Sequence, residues 1–315
     1  MDRIKEATHF LNPGQTPDMA VDQPLIALAK QIQWQCPNTY GEGKFIVMFG
    51  GLHIEMAALR LLGDLLKGGG WTGALTEAEI ATSGTADSLL SASSVANTRQ
   101  AHLITACALY DFMKSAFNHS EGQFDDKERE FQAFKDWCNI RQKQSPQFKF
   151  WGSVLNLELL VFCFVRAYRG FDFQLYQGCL SELIPYFFAL DHINYARWFP
   201  VHLPDMLALE QMHPGVYKEF SIGHFAVRKT ENTFSTMAID QAHEQNNAVI
   251  KGDGGVIGLT EDQTALRRWA VAGPEKRRLV DEFSNISGNR QNEKIKVTMR
   301  QHSLFRKTSS EKSTY

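Results

Sequence analysis

The spacing of apolar positions changes repeatedly along the first 67 residues and predicts a different element each time. Residues 18–22 are short and partly apolar, and from Leu25 onward apolar residues recur at i, i+3, i+4 and i+7, which predicts a helix. The continuous apolar run at residues 44–49 predicts a buried strand that ends at Gly50-Gly51. Residues 53–67 have helical spacing again. The order strand, helix, strand, helix is typical of an α/β sheet.

The next part of the chain has a different pattern. Between about residues 76 and 209 the apolar spacing is helical, with hardly any alternating run that would predict a strand. About 135 residues of helix are expected here. The predicted helices are residues 77–82, 86–118, 127–141, 154–168, 174–198 and 204–212.

Short extended segments return near the end of the chain. The patterns of residues 220–227 and 234–237 predict short strands or an extended approach. Residues 239–251 predict a helix that ends at the glycine-rich segment 252–255. A capping-box pattern at residues 260–263 predicts a helix over 260–271. Residues 276–315 hold ten Lys or Arg and four Asp or Glu, and we expect the end of the chain to be a disordered basic tail.

Composition narrows the possible classes of protein. The 315 residues are 43% hydrophobic and 22% charged with a net charge of −2, so global disorder and a strongly basic nucleic-acid-binding surface are excluded. Five separated cysteines without a CxxC pair favour a reducing compartment. The N-terminus lacks a signal-peptide pattern, and the longest apolar run has seven residues. We therefore expect an intracellular protein of the nucleus or cytoplasm without a membrane partner.

Several sequences resemble ligand-binding motifs but lack the required context. Residues 68–73 match G-x-G-x-x-G, yet a predicted helix precedes them where the dinucleotide-binding motif needs a strand. Residues 41–44 lack the spacing of a phosphate-binding loop. The histidines show no metal-ligand spacing on one helix, and Asn247 stands where a second zinc-binding His would follow His243.

Carboxylates near the predicted strand and the late helix offer a stronger candidate. Asp22 lies between a predicted strand and helix, where α/β proteins place ligand-binding groups, although Asp is also a common helix cap. Asp240 and Glu244 share one face of the late helix beside His243, and a surface salt-bridge face is the simpler explanation of that pair. Carboxylates from these two regions would suit Mg²⁺.

Four segments of the chain carry a family resemblance, and they begin at Asp22 (DQPL), Val47 (VMFGGLHIEM), Leu190 (LDHINYARW) and Ile239 (IDQAHEQNN). Together they resemble a family of transposon-derived proteins found in corals, anemones and other aquatic animals, which are similar to DDE transposases of the hAT type. The resemblance covers the chain to about residue 283. It implies a mixed α/β, predominantly helical protein: a partial RNase H-like core interrupted by a large all-helical insertion.

The resemblance also implies a domain plan and a catalytic site. Residues 1–54 would be the first part of the core, 55–219 the helical insertion, 220–283 the second part of the core and 284–315 the basic tail. Asp22 and Glu244 would be catalytic carboxylates that hold Mg²⁺ or Mn²⁺. His53 matches the His of a Cys-x-x-His motif, with Gly50 at the Cys position. Further candidates around this site are Asp240, His243, Arg197 and Trp198, and those for nucleic-acid contact are Lys251, Arg267 and Arg268.

One feature of the implied plan is missing. The first carboxylate belongs on a strand that, with two more strands and a helix, should precede Asp22, and 21 residues stand before it. Two-metal chemistry needs that carboxylate. We therefore expect a degenerate, non-catalytic transposase-like protein that binds DNA, or a protein partner through its helical insertion. The alternatives are an active Mg²⁺-dependent transposase or nuclease domain, and an unrelated α/β enzyme that uses the region of Asp22, His53 and Glu244.

Overall fold

The computed structural model describes residues 1–121, 126–228, 230, 232, 234–251 and 262–286. The chain divides into two units, residues 1–244 and 245–315. The predicted segment 252–255, the start of the predicted helix at residue 260 and the predicted tail lie outside the described residues. The described part is predominantly helical, as the sequence predicts.

The first elements have the predicted strand and helix order. They are α1 (Asp2–Leu11), β1 (Asp18–Val21), α2 (Gln23–Gln35), α3 (Pro37–Tyr40), β2 (Ile46–Phe49), α4 (Gly51–Leu66), α5 (Trp71–Glu77) and α6 (Ser83–Leu90). The long helices follow: α7 (Val95–Glu121), α8 (Lys127–Gln144), α9 (Pro146–Arg169), α10 (Phe173–Ala189) and α11 (Ile193–Leu207). The remaining elements are α12 (Leu209–Met212), α13 (Pro214–Ser221), β3 (Ala226–Arg228), β4 (Thr236–Ala238), α14 (Ile239–Lys251) and α15 (Gln263–Ile286).

Strands β1 and β2 pair in parallel, and Asp18 lies opposite Ile46 while Val21 lies opposite Phe49. All four residues of β2 are buried, as its continuous apolar run predicts, because helices cover the strand. Strands β3 and β4 form a separate antiparallel pair. The described residues therefore contain two two-stranded sheets, and a single mixed sheet is not observed in that part of the chain.

The predicted helices in the insertion have different bounds in the structure, and the largest differences are at breaks in the chain. The helix predicted at residues 77–82 is wrong, because the chain leaves α5 through Glu79, which has a left-handed backbone (φ 55°), and Thr82 then caps α6. The helix predicted at 86–118 is divided near Ala92 (φ 52°), and the one at 174–198 is divided at Asp191 (φ 55°). Non-glycine residues with positive φ are uncommon, and apolar spacing does not reveal them.

The late segments also differ in part. Residues 220–227 are predicted to be a strand or an extended segment, but α13 continues to Ser221 and a turn with Gly223 at φ 103° precedes β3. The prediction for α14 has the observed bounds. Helix α15 continues to Ile286, beyond the predicted end at residue 271, and it passes through Pro274.

The hydrophobic core of the first unit lies around α4, α9, α10 and α11. Helix α10 packs against the other three, α4 packs against α9, and α11 packs against β2. Helix α9 is the one described helix whose length and apolar content would allow it to cross a membrane, and 39% of its most apolar window is buried. Its contacts with α4, α7, α8 and α10 are those of a core helix.

Candidate functional site

The carboxyl ends of β1 and β2 lie side by side and carry the most concentrated polar chemistry of the first unit. Asp22 directly follows β1, and Gly50 and Gly51 directly follow β2. Helix α4 begins at Gly51, so the backbone N–H groups of its first turn face this end of the sheet. Open α/β sheets bind ligands at this edge.

Asp240, in the first turn of α14, is buried and its carboxylate caps α4. Its Oδ1 accepts a hydrogen bond from Leu52 N at 3.1 Å, and its Oδ2 accepts one from His53 N at 3.1 Å. The Nδ1 atom of His53 lies 2.9 Å from the same Oδ2. A negative charge at a helix N-terminus is stabilised by the unpaired N–H groups and by the helix dipole. Asp240 therefore joins the start of α14 to the start of α4.

The glycine pair after β2 leaves room for this contact. A Cβ atom at Gly50 would lie 2.2 Å from Oδ2 of Asp240, and one at Gly51 would lie 2.4 Å from the ring of Tyr168. Both distances are far shorter than the separation that two non-bonded heavy atoms tolerate. Gly50 is the residue at the Cys position of the Cys-x-x-His pattern. A Cys there would collide with Asp240.

Solvent partly reaches the His53 side chain, which is 28% exposed. Its pKa is raised by the hydrogen bond to Asp240, against an opposing effect of burial, and by the charges of Asp240, Asp22 and Glu244. When Nδ1 donates to Asp240, the second ring nitrogen, Nε2, carries the lone pair of the neutral ring. The geometry thus sets the tautomer of His53.

Tyr195 is part of the site and was missed by the sequence interpretation. Its hydroxyl donates a hydrogen bond to the backbone oxygen of His53 at 3.2 Å, and its ring stacks on Phe49 and Phe187. Burial raises the pKa of Tyr195 to about 12. The residue stands inside the 190–198 segment that carries the family resemblance, but no local pattern distinguished it from a core aromatic residue.

Asp22 and Glu244 flank the histidine in different ways. Asp22 is half-buried and caps α2, where its Oδ1 accepts a hydrogen bond from Leu25 N at 3.3 Å. Glu244 is exposed, one helical turn after Asp240. Both carboxylates are near enough to raise the pKa of His53 through their charge. Among the described residues, no group of three or more His, Cys, Asp or Glu side chains is arranged to hold a metal ion.

The other sequence candidates lie in different environments. His243 and Arg197 are exposed, whereas Trp198 is buried in the hydrophobic core and stacks on Trp34 with ring centroids 6.0 Å apart. Lys251 is the last residue of α14, and Arg267 and Arg268 are exposed on α15. These last three belong to the second unit of the chain.

Comparison with known proteins gives one match. The family model for a domain of unknown function (DUF8702) matches residues 12–137 and 113–313. No curated protein matches the chain, and no solved structure matches it.

Proposed function

We propose that this chain, which belongs to the DUF8702 family of domains of unknown function, is a non-catalytic, nucleic-acid-binding domain derived from a DDE transposase-like protein. The order of its elements supports this origin. Asp22 follows a strand, a long helical segment follows the neighbouring parallel strand, and α14 returns carboxylates to the same strand ends. This is the order that the resemblance to hAT-type transposases implies.

One observation carries the non-catalytic part of the proposal: the strand-end carboxylates already serve as helix caps. Both oxygens of Asp240 accept hydrogen bonds from α4, and Oδ1 of Asp22 accepts one from α2. Two-metal phosphodiester chemistry needs carboxylates that bridge two ions about 3.5–4 Å apart. Glu244 is the one carboxylate of this set that is exposed, and a single exposed carboxylate does not form that clamp. The donor arrangement therefore does not fit a pair of Mg²⁺ or Mn²⁺ ions.

The catalytic test compares the full chain with Asp22→Asn/Glu244→Gln on supercoiled and linear DNA in Mg²⁺ and in Mn²⁺. We expect no cleavage or strand transfer by the wild type above the level of the double variant. Cation-dependent cleavage that Glu244→Gln abolishes would establish the active Mg²⁺-dependent transposase or nuclease and overturn the proposal.

The nucleic-acid part of the proposal is supported by charge in the second unit. Arg267 and Arg268 are exposed on α15, and residues 276–315 have an excess of basic over acidic side chains. Contacts to phosphates release counterions, so the affinity falls steeply with salt. We expect a gel shift of double-stranded DNA at 50 mM salt that weakens strongly at 200 mM. Arg267→Glu/Arg268→Glu should weaken it, whereas Arg3→Glu/Lys5→Glu, an equal charge change on α1, should not. Equal losses in the two double variants would contradict this part.

The His53–Asp240 pair favours a second candidate function, that of an α/β enzyme with a general acid–base histidine. Asp240 holds Nδ1 and leaves Nε2 to exchange a proton, as an acid–base histidine requires. Chromogenic esters and phosphate esters test this candidate. An activity whose pH profile changes near the raised pKa of His53, and which His53→Gln abolishes, would favour it. Activity that His53→Gln leaves intact would exclude it.

A further inference from the structure

We infer that the helical insertion binds a free long-chain fatty acid in an apolar cavity between α5, α7 and the start of α9. The cavity has a volume of about 790 Å³, within the size range of small-molecule sites. Trp71 and Leu75 on one side belong to the main hydrophobic core. Met113 and Phe148 on the other side pack against a second, smaller cluster around Phe117 and Trp137. The cavity thus separates two hydrophobic clusters.

The shape of the cavity fits an extended hydrocarbon chain. The residues that line it on α7 run from Ile104 to Ala116, and twelve residues of helix span about 18 Å at 1.5 Å per residue. Small side chains, among them Ala74, Ala78 and Ala108, keep this length open. An elongated space of this kind accommodates a single long chain better than a compact ring system.

Few polar groups line the cavity, and some of them are already engaged in hydrogen bonds. Thr105 accepts a hydrogen bond from the Trp71 indole at 2.8 Å and donates one to the backbone oxygen of Ala101 at 2.9 Å. The Ser145 hydroxyl accepts one from Phe148 N at 3.2 Å, where it caps α9. The other polar groups of the lining are the amide of Gln147, which is exposed, and the indole N–H of Trp151. A hydrocarbon chain needs no polar partner, and its carboxylate would remain in solvent at the open side.

The predominantly apolar lining also favours a hydrocarbon as the occupant. Apolar cavities hold water poorly, so a hydrocarbon displaces little bound solvent. Burial of the chain then supplies the affinity.

The test measures binding of hexadecanoate and octanoate to the delipidated full-length chain by tryptophan fluorescence, since Trp71 and Trp151 both line the cavity. We expect hexadecanoate to bind at least about a hundredfold more tightly, because each buried methylene multiplies affinity by roughly fourfold. Equal affinities for the two acids, or no saturable fluorescence change with hexadecanoate, would overturn the inference.

Two matched variants locate the binding. Ala108→Phe places a ring inside the cavity, whereas Ala96→Phe places the same ring on an exposed position of the first turn of α7. Ala108→Phe should weaken hexadecanoate binding by about tenfold or more, and Ala96→Phe should bind like the wild type, with circular dichroism confirming that both are folded. Unchanged binding by Ala108→Phe would contradict the site.

Two further measurements test other occupants of the cavity. If the delipidated chain forms a dimer and Ala108→Phe dissociates it, the occupant is a second copy of the chain. If the chain floats with phosphatidylcholine vesicles but does not bind hexadecanoate, the occupant is a membrane lipid. Either result overturns the inference.

Discussion

The carboxylate of Asp240 lies directly against Gly50, so that a Cβ atom at position 50 would be 2.2 Å from Oδ2. This approach lets one side chain, 190 residues away in sequence, bind the first turn of α4 through Leu52 N and His53 N. The position of His53 and its tautomer follow from the same contact. The absence of a side chain at position 50 is therefore a structural requirement of the site.

Gly50→Ala should destabilise the protein by about 1–3 kcal/mol, because the new methyl group displaces the Asp240 carboxylate from a well-packed position. Urea denaturation measures the loss. The control is Gly73→Ala, since Gly73 lies in α5 with no heavy atom near the position of its Cβ and with no left-handed backbone. That change should be neutral or stabilise the protein by about 0.5–1 kcal/mol, because alanine favours the helix. Equal effects of the two substitutions would contradict the role of Gly50.

The pKa of His53 should fall when Asp240 is replaced by Asn, because the substitution removes the negative charge that strengthens the hydrogen bond and attracts the protonated ring. Glu244→Gln should lower it less, since Glu244 acts through charge alone. Titration of the ring protons by NMR gives each value. In the wild type the raised pKa adds stability that is fully present below the unfolded pKa of about 6.5 and is lost as the pH rises through the folded pKa. A larger shift from Glu244→Gln than from Asp240→Asn would refute this ranking.

Local patterns were sufficient for the elements that frame the site. The apolar run before Gly50 predicts β2, Pro24 and Asp22 predict the start of α2, and the bounds of α14 follow from its spacing. The sequence also brought Asp22, His53 and the α14 carboxylates together through the family resemblance. The resemblance favoured Glu244 over Asp240 as the catalytic carboxylate, because the family that it implies has a catalytic Glu on its late helix.

The contact that organises the site was not predictable from local patterns. His53 and Asp240 are 187 residues apart, and the capping of α4 by a side chain from α14 has no local signature, because helix caps are sought within the same segment. The glycine pair predicted a sharp end to β2, whereas its structural reason is the close approach of Asp240 and the Tyr168 ring. The helix breaks at Glu79, Ala92 and Asp191 were missed because none is a glycine.

Lys30→Met should lower the free energy of unfolding by about 3 kcal/mol, because it removes the cation from a buried ion pair. The Lys30 ammonium is almost completely buried and lies 2.5 Å from Asp205 and 3.0 Å from Glu42. Glu42→Gln should cost less than about 1 kcal/mol, because the Glu42 side chain is 41% exposed. Chemical denaturation of both variants gives the comparison. A loss from Glu42→Gln as large as that from Lys30→Met would show that burial does not set the energies of these pairs.

The buried pair of His102 and Glu158 should make the free energy of unfolding depend on pH. The part of this dependence that comes from Glu158 should disappear when Glu158 is replaced by Gln. Nδ1 of His102 lies 2.9 Å from Oε1 of Glu158, both side chains are fully buried, and the Trp71 ring stacks on the imidazole. Burial lowers the pKa of His102 to about 4 and raises that of Glu158 to about 8. Burial thus favours a neutral imidazole that accepts a hydrogen bond from a protonated carboxyl group over a pair of charged groups.

Glu158 has a raised pKa in the folded protein, so between about pH 4.5 and 8 it holds a proton that the unfolded chain releases, and its contribution to stability falls as the pH rises. Below about pH 6.5 the lowered pKa of His102 acts in the opposite direction, because the unfolded histidine takes up a proton there. Glu158→Gln keeps a neutral hydrogen-bond donor and has no such proton. We expect its urea midpoint to exceed that of the wild type increasingly from pH 5 to pH 8.5. Glu182→Gln, at an exposed position of α10, should follow the wild-type curve. Parallel curves for Glu158→Gln and the wild type would show that Glu158 is ionised in the folded state.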